Sequence, residues 1–310
     1  MNLNNMIQKY DIVIPTVAGD VSFLPKVIKY IRINLLDAET IYIVTNRNNF
    51  KHKALKNIKD FGGVLLDENE FISGLSFKCI EENLVSRHYY NNPGWFLQQF
   101  IKLGFAQTPY AKDYYLTWDA DTLPLSKICF FENQHPLFTI KKEYHKAYFE
   151  TIQNLFGYSK VVDYSFIAEH MMFKVSVVRE MLEKIGHGGG EDKKWFEKCL
   201  DACNFDSKYP APHFSEFETY GTYCFMNYPK LYHTQKLNTF RSAGFIRGRF
   251  INDKILSKMA LDLDTASFEL YDRPVFPYSV PYYWDYYKKK IRKASRMSFL
   301  NILQKLIHLV

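Results

Sequence analysis

An α/β fold is expected of this sequence, with a mostly parallel sheet flanked by helices, and three observations carry that expectation. Short apolar or β-branched runs recur at residues 10–17, 40–46, 62–68 and 113–121. Stretches with helical spacing of apolar residues stand between them at 21–35 and 93–107. Each apolar run stops at polar or acidic residues, which marks a strand end rather than the middle of a buried helix. Strands that alternate with helices imply a parallel sheet covered on both sides.

The elements follow in order. "YDIVIPTV" (10–17) is a short buried strand that stops at Pro15. "VSFLPKVIKYIRINL" (21–35) places Phe23, Val27, Tyr30, Ile31 and Asn34 three or four residues apart, as one helix face requires. "TIYIVTN" (40–46) is β-branched and ends at Asn46, and "GGVLLDE" (62–68) opens on two glycines and closes at Asp67. "PGWFLQQFIKLGFAQ" (93–107) is a helix with Pro93 in its first turn and Phe96, Phe100 and Leu103 on one face. "DYYLTWDAD" (113–121) is the fourth strand. Beyond it the alternation weakens, with no repeat, low-complexity linker or clean boundary before about residue 275.

Composition narrows the class. The chain has 310 residues, 47% hydrophobic and 24% charged, which suits a globular protein with a sizeable core. The aromatic share is 17%, and aromatic side chains serve both cores and flat ligands. Five cysteines lack a disulfide spacing, and Cys199 and Cys203 read as packing residues in the helical stretch "WFEKCLDACNF". The N-terminus lacks the regions of a signal peptide, and no run of 18 apolar residues is present. A reduced, cytoplasmic protein is expected. Neither a glycine-rich dinucleotide loop nor a P-loop follows the first strand. "GHGGGED" (186–192) follows a helix and suits a helix C-cap and loop.

In such sheets ligands bind beyond the carboxyl ends of the strands. Those ends carry Thr16 and Val17, Asn46, Asp67, and the pair Asp119 and Asp121. Two carboxylates one residue apart on an extended segment share a side, and such hard oxygen donors suit Mg2+ or Mn2+ rather than zinc. A D-x-D pattern alone is common, and its position at a strand end is what sharpens it. The solvated loop is the competing reading.

"DIVIPT", "GWFLQQFIKL" and "TWDADTLPL" resemble the nucleotide-sugar-binding half of GT-A-fold glycosyltransferases, a Rossmann-type architecture. "KKEYHKAYFETIQNLFG", "FIAEHMMFK" and "SEFETYG" extend the similarity to bacterial proteins linked to capsule or lipopolysaccharide assembly, of unassigned specificity. The resemblance covers roughly residues 10–250. It implies a GT-A-like catalytic domain over 1–275, with a donor half to about residue 125 and an acceptor half from 126, followed by a tail over 276–310. It implies metal-dependent transfer of a sugar from a nucleotide-sugar, first of all a UDP-sugar, to a saccharide or lipid-linked hydroxyl. Asp119 and Asp121 would hold Mn2+ or Mg2+, and a later histidine would complete the shell: His233 first, His213 second. Inverting transfer also needs a base. Glu216 is the first choice and Glu218 the second, since Ser215 and Glu218 also read as a capping box. Glu169 and His170 are the runner-up acid/base pair or acceptor ligands.

Other candidates are compositional. Gln98, Gln99 and Lys102 precede the D-x-D strand, and Gln98 and Lys102 share a helix face suited to donor contact. Trp118 is a sugar platform or a core residue. Arg241, Arg247 and Arg249 surround two glycines, as a loop over a diphosphate would. Glu143, His145 and Tyr148 are acceptor candidates. The net charge of +7 is concentrated late, with Lys288, Lys289, Lys290, Arg292, Lys293 and Arg296 before an apolar helical face at 299–307. That pattern fits an anionic membrane surface, or a helix docked on its own domain or on a second subunit. Nucleic acid is not expected, because the aromatics form no RNA-binding motif. A sugar nucleotidyltransferase, or a non-catalytic membrane-surface binder, is the alternative reading.

Overall fold

The computed structural model describes residues 8–56, 58–187, 193–206, 213–280 and 283–284. In its first part β1 (Tyr10–Pro15), α1 (Leu24–Asn34), β2 (Ala38–Thr45), β3 (Gly63–Asp67), α2 (Phe77–Ser86), α3 (Pro93–Gly104) and β4 (Tyr114–Trp118) follow one another. Then come β5 (Thr122–Pro124), β6 (Phe131–Glu132), β7 (His135–Thr139), α4 (Lys146–Phe156), β8 (His170–Lys174) and α5 (Val175–His187). The last elements are α6 (Trp195–Asp201), α7 (Glu216–Asn227), β9 (His233–Gln235), β10 (Thr239–Phe240), α8 (Gly244–Arg247), α9 (Asp253–Met259) and β11 (Thr265–Ser267).

The main sheet runs β3-β2-β1-β4-β8, parallel except for β8, which pairs antiparallel with β4. Alternation along the strands divides the apolar side chains between two layers. Val13, Tyr42, Val44, Tyr115 and Phe173 face one layer, where α3, α5 and α7 pack. Ile12, Ile14, Ile41, Ile43 and Leu116 face the other, against α1. All six residues of β1 are buried, as a central parallel strand covered on both faces requires. Each fully buried Ile, Leu or Phe contributes roughly 1.5–3 kcal/mol relative to exposure, so this double layer is what holds the strand ends in register.

Two small sheets, β10-β11-β5 and β6-β7-β9, extend the fold. The first matters most for position, because β11 pairs antiparallel with β5 and brings residues 268–271 beside the turn between β4 and β5. That turn corrects the expected fourth strand, which ends at Trp118 rather than running through Asp121. The Thr122 amide donates to the Asp119 carbonyl at 3.2 Å and closes the turn. The two acids therefore sit on a bend, and strand alternation does not set their directions. Most of the expected tail, residues 285–310, lies outside the described residues, as does the glycine-rich stretch 188–192.

Candidate functional site

A cavity of about 850 Å³ opens beyond the carboxyl ends of β1, β2 and β4. Thr16 and Val17 enter it from the end of β1, and Asn46 from the end of β2. Trp95, Gln98, Gln99 and Lys102 come from α3, and Ser215, Glu216 and Phe217 from the start of α7. Glu143, His145 and Tyr148 close one side, while Arg241, Glu269 and Tyr271 close another.

Asp119 and Asp121 lie on the cavity floor. Lys102 is buried beneath them, its Nζ 3.0 Å from Asp119 Oδ1 and 2.9 Å from Glu216 Oε1. Burial alone would lower this lysine's pKa, but the charges of Asp119 and Glu216 outweigh it and hold the ammonium protonated. Its Nζ also sits 4.4 Å from the centre of the Phe217 ring. One ammonium thus ties the D-x-D turn to the first residue of α7. Glu216 still has a raised pKa because burial outweighs the pull of Lys102.

Asp121 has a different neighbourhood. It shares a side-chain hydrogen bond with Glu269, and Asp20 stands nearby. Burial, then the charges of Asp119, Glu269 and Asp20, push its carboxyl well above the usual range. Glu269 is raised by burial and Asp119, and drawn back by its bond to Asp121 and by Arg241. Asp119, Asp121, Glu269 and Asp20 together offer an all-oxygen donor set, the chemistry that suits a hard divalent cation. Among the described residues no three His, Cys, Asp or Glu side chains form a metal-holding group by themselves.

Arg241 bridges the remaining wall. Its guanidinium is 2.8 Å from Glu143 and 3.3 Å from Glu169. Glu169 is buried, pairs with Lys141, and accepts the Asp119 amide on its carbonyl at 2.9 Å. His145 is 3.6 Å from Glu143, and its ring lies 5.1 Å from that of Tyr148. Arg241, Glu143, His145 and Tyr148 are thus brought together, as are Thr16, Val17, Asn46, Gln98, Lys102 and Glu216.

Several expected residues stand elsewhere. His233 lies on β9, which pairs with β7 away from the cavity; it is 3.2 Å from Glu132 and stacked on His135. His213 is enclosed by Tyr89 and Phe205. Trp118 is fully buried in the core, stacked on His170 and donating to the Thr122 carbonyl at 2.9 Å, so it offers no face to a sugar. His170 is buried opposite Trp118 across the β4–β8 pair, and Glu169 sits behind Asp119, both outside the cavity lining. Glu218 turns inward, where it accepts from Ser165, and Ser215 Oγ caps its amide at 3.3 Å. Asp67 is drawn off by Arg47 at 2.8 Å, and Arg247 lies 4.1 Å over the Tyr278 ring. Arg249 likewise misses the lining, but holds Asp20 at 2.6 Å and donates to the Phe268 carbonyl at 2.7 Å.

The sequence motifs do not point to Asp20, Trp95, Glu269 or Tyr271, all in the lining, whereas Glu68, which lines it too, stands at the strand end beside Asp67. Asp20 and Glu269 are 249 positions apart and carry no shared motif; only the β5–β11 pairing joins them at one acid cluster. Trp95 had a usable signal, an aromatic in the first turn of the helix before the D-x-D strand.

The model of a family described as "Family of unknown function (DUF6492)" matches residues 25–245. No curated protein matches the chain. Among solved structures, the chain is similar to the galactosyltransferase LgtC in complex with donor and acceptor sugar analogs, at 12% identity and TM-score 0.37, over 83% of this chain and 86% of that one. It is similar to mouse xyloside xylosyltransferase 1 at 10% identity and TM-score 0.41, covering 84% and 97%. A third is the glycosyltransferase GlyE of Streptococcus pneumoniae TIGR4, at 13% identity and TM-score 0.39, covering 97% and 63%.

Proposed function

From the premise that this chain belongs to DUF6492, a family of unknown function, we propose that it is a GT-A-like, metal-dependent glycosyltransferase. The observation that carries the reading is the acidic turn Asp119–Asp121 on the floor of a cavity of about 850 Å³ beyond the strand ends. That volume lies in the range of cavities that enclose small-molecule ligands. The resemblance of "DIVIPT", "GWFLQQFIKL" and "TWDADTLPL" to GT-A enzymes supports the same reading.

The proposed donor subsite is the edge formed by Thr16, Val17 and Asn46, with Glu68 beside Asn46 at 3.1 Å. Asp119 and Asp121 would hold Mn2+ or Mg2+; bound there, the cation would offset the charge growing on the departing diphosphate of a UDP-sugar. His233 has no part in this version, because β9 carries it away from the floor. Lys102 orients Asp119 and Glu216, and Arg241 offers a guanidinium to donor oxygens. Glu216 would take the proton of the acceptor hydroxyl in an inverting transfer; burial raises its pKa, as suits a base, and the charge of Lys102 draws it part of the way back. Glu143, His145 and Tyr148 would grip a saccharide or lipid-linked acceptor of a surface polysaccharide, with the basic tail at the membrane.

The test is a thermal-shift panel of UDP, GDP, CDP and their sugars, each with and without Mn2+. One nucleotide class should raise Tm only with Mn2+, by several degrees at saturating ligand. Asp121→Asn should keep the wild-type Tm without ligand and lose the Mn2+-dependent shift. A shift that survives in Asp121→Asn would overturn the metal assignment, and no shift with any nucleotide would overturn the donor.

A further inference from the structure

The region after Arg241 carries a feature that the reaction does not use. Phe245 and Ile246 of α8 are 46% and 47% exposed, and Phe250 just beyond is 69% exposed. Val275 and Phe276 are 60% and 80% exposed. The two segments lie side by side: the Val275 amide donates to the Phe245 carbonyl at 3.0 Å, Arg247 stacks on Tyr278 at 4.1 Å, and Pro274 stands 3.2 Å from where a Cβ on Gly248, two residues before Phe250, would lie. Single exposed apolar residues are ordinary, but a contiguous ridge of large ones marks a contact surface.

Two further observations say what contacts it. The ridge adjoins the cavity through Leu270 and Tyr271, which are 48% and 68% exposed and line its mouth. The charge beyond the ridge is also one-sided, with seven Lys or Arg and one Asp from residue 274 to the end, whereas α9 after Phe250 is mixed, carrying Asp253 beside Lys254 and Lys258. Large apolar side chains flanked by cations match the boundary between acyl chains and anionic headgroups, where the first insert and the second are attracted.

We propose that the ridge formed by Phe245, Ile246, Phe250, Val275 and Phe276 is a membrane-docking surface that seats the cavity mouth on an anionic bilayer. The folded ridge supplies the apolar insertion, and the basic tail adds electrostatic attraction. The docking itself does not depend on the glycosyltransferase reading; only the inference that a lipid-linked acceptor enters at this mouth rests on it.

The experiment is co-sedimentation of the full chain with vesicles of phosphatidylcholine alone and of phosphatidylcholine with 30% phosphatidylglycerol, without nucleotide or metal. The wild type should bind the anionic vesicles, and Phe250→Ser with Phe276→Ser should weaken that binding about tenfold or more while leaving Tm within a few degrees. Full chain carrying K288Q, K289Q, K290Q, R292Q and K293Q should bind more weakly yet still lose further affinity when the two serines are added. In a Cys79→Ser, Cys129→Ser background, an environment-sensitive dye on Phe276→Cys should shift to the blue on anionic vesicles, which reports insertion without removing the ridge. Three results would each overturn the proposal. One is binding that the tail substitutions abolish and the serines leave unchanged. Another is a dye that does not shift. The third is a concentration-dependent dimer that the serines dissociate, which would make the ridge a contact between copies. None of these outcomes bears on nucleotide binding, so each is separable from failure of the proposed function.

Discussion

His170 is buried against Trp118, its Nε2 2.8 Å from Thr139 Oγ1 and its Nδ1 without a hydrogen-bond partner among the described residues. Burial, and after it the charge of Lys141, lowers its pKa from 6.5 to about 3. The unfolded chain takes up a proton near pH 6.5 that the fold refuses. The stabilisation from this neutral ring is therefore complete above about pH 6.5 and is lost as pH falls toward 3. Between pH 7 and pH 5 the loss amounts to ~2 kcal/mol. The carboxyls of Asp121, Glu216 and Glu218 are raised and act in the opposite sense, so the whole protein's pH profile does not isolate the histidine. A difference does. His170→Gln should be less stable than wild type at pH 7 in urea unfolding, and the gap should narrow by ~2 kcal/mol at pH 5. A gap of equal size at both pH values would show that the ring does not control this window. His170 thus acts at the core side of the Asp119 turn, as part of what holds β4 and β8 in register beneath it.

At the scale of elements, α7 decides how the second half meets the first. Nine consecutive residues, Glu216–Cys224, are buried, so the helix has no solvent stripe and no amphipathic pattern to read. What was legible was its start, the Ser215 cap. The cap matters because Glu216, the first residue of the helix, meets Lys102, and because Phe166 packs where a side chain on Gly221 would be. An added Cβ there would lie 2.3 Å from the Phe166 ring, so glycine is required for close approach. Ser215→Ala should cost ~1 kcal/mol in urea unfolding, and Ser215→Thr should restore most of it. Equal stability of Ser215→Ala and wild type would mean that the cap contributes nothing. The same contrast explains what the sequence disclosed elsewhere. β1, β2 and β3, α1 and α3 were legible because each is a strong apolar or periodic run facing a core layer. β5, β9, β10 and β11 are two or three residues long and held by partners far along the chain, so local pattern carries no trace of them. The acids of the D-x-D turn could be read, whereas Glu269 could not, since only the pairing of β11 with β5 brings it to Asp121. His233 was misjudged for the converse reason: its neighbours in sequence said nothing about which way β9 would face.

Chains of this length often divide into separately folding domains, and the cavity has walls from both halves, so cooperativity bears on whether the site can exist in parts. The main sheet argues against division. β8, from the second half, completes it by pairing with β4, and the Asp119 amide is bonded to the Glu169 carbonyl beyond that pair. One core layer joins Val13, Phe100 and Tyr115 to Phe173, Phe217 and Tyr220. Tyr115 and Phe173 stack with ring centres 5.2 Å apart, and Phe100 lies 5.3 Å from Phe214. Separating the halves near residue 125 would expose this layer, strip β4 of an edge partner and leave Lys102 without Glu216. Removing one partner of a buried ionic group leaves the other uncompensated, at a cost of about 3–5 kcal/mol. Scanning calorimetry of the full chain should therefore show one transition with a calorimetric to van't Hoff enthalpy ratio close to one, coincident with loss of near- and far-UV circular dichroism. A ratio well above one, with the first half melting apart from the second, would mean that the two walls of the cavity are assembled from independent units. A single transition makes the cavity a property of the whole fold, so that a ligand touching only the edge at Thr16, Val17 and Asn46 raises the melting temperature of the opposite wall with it.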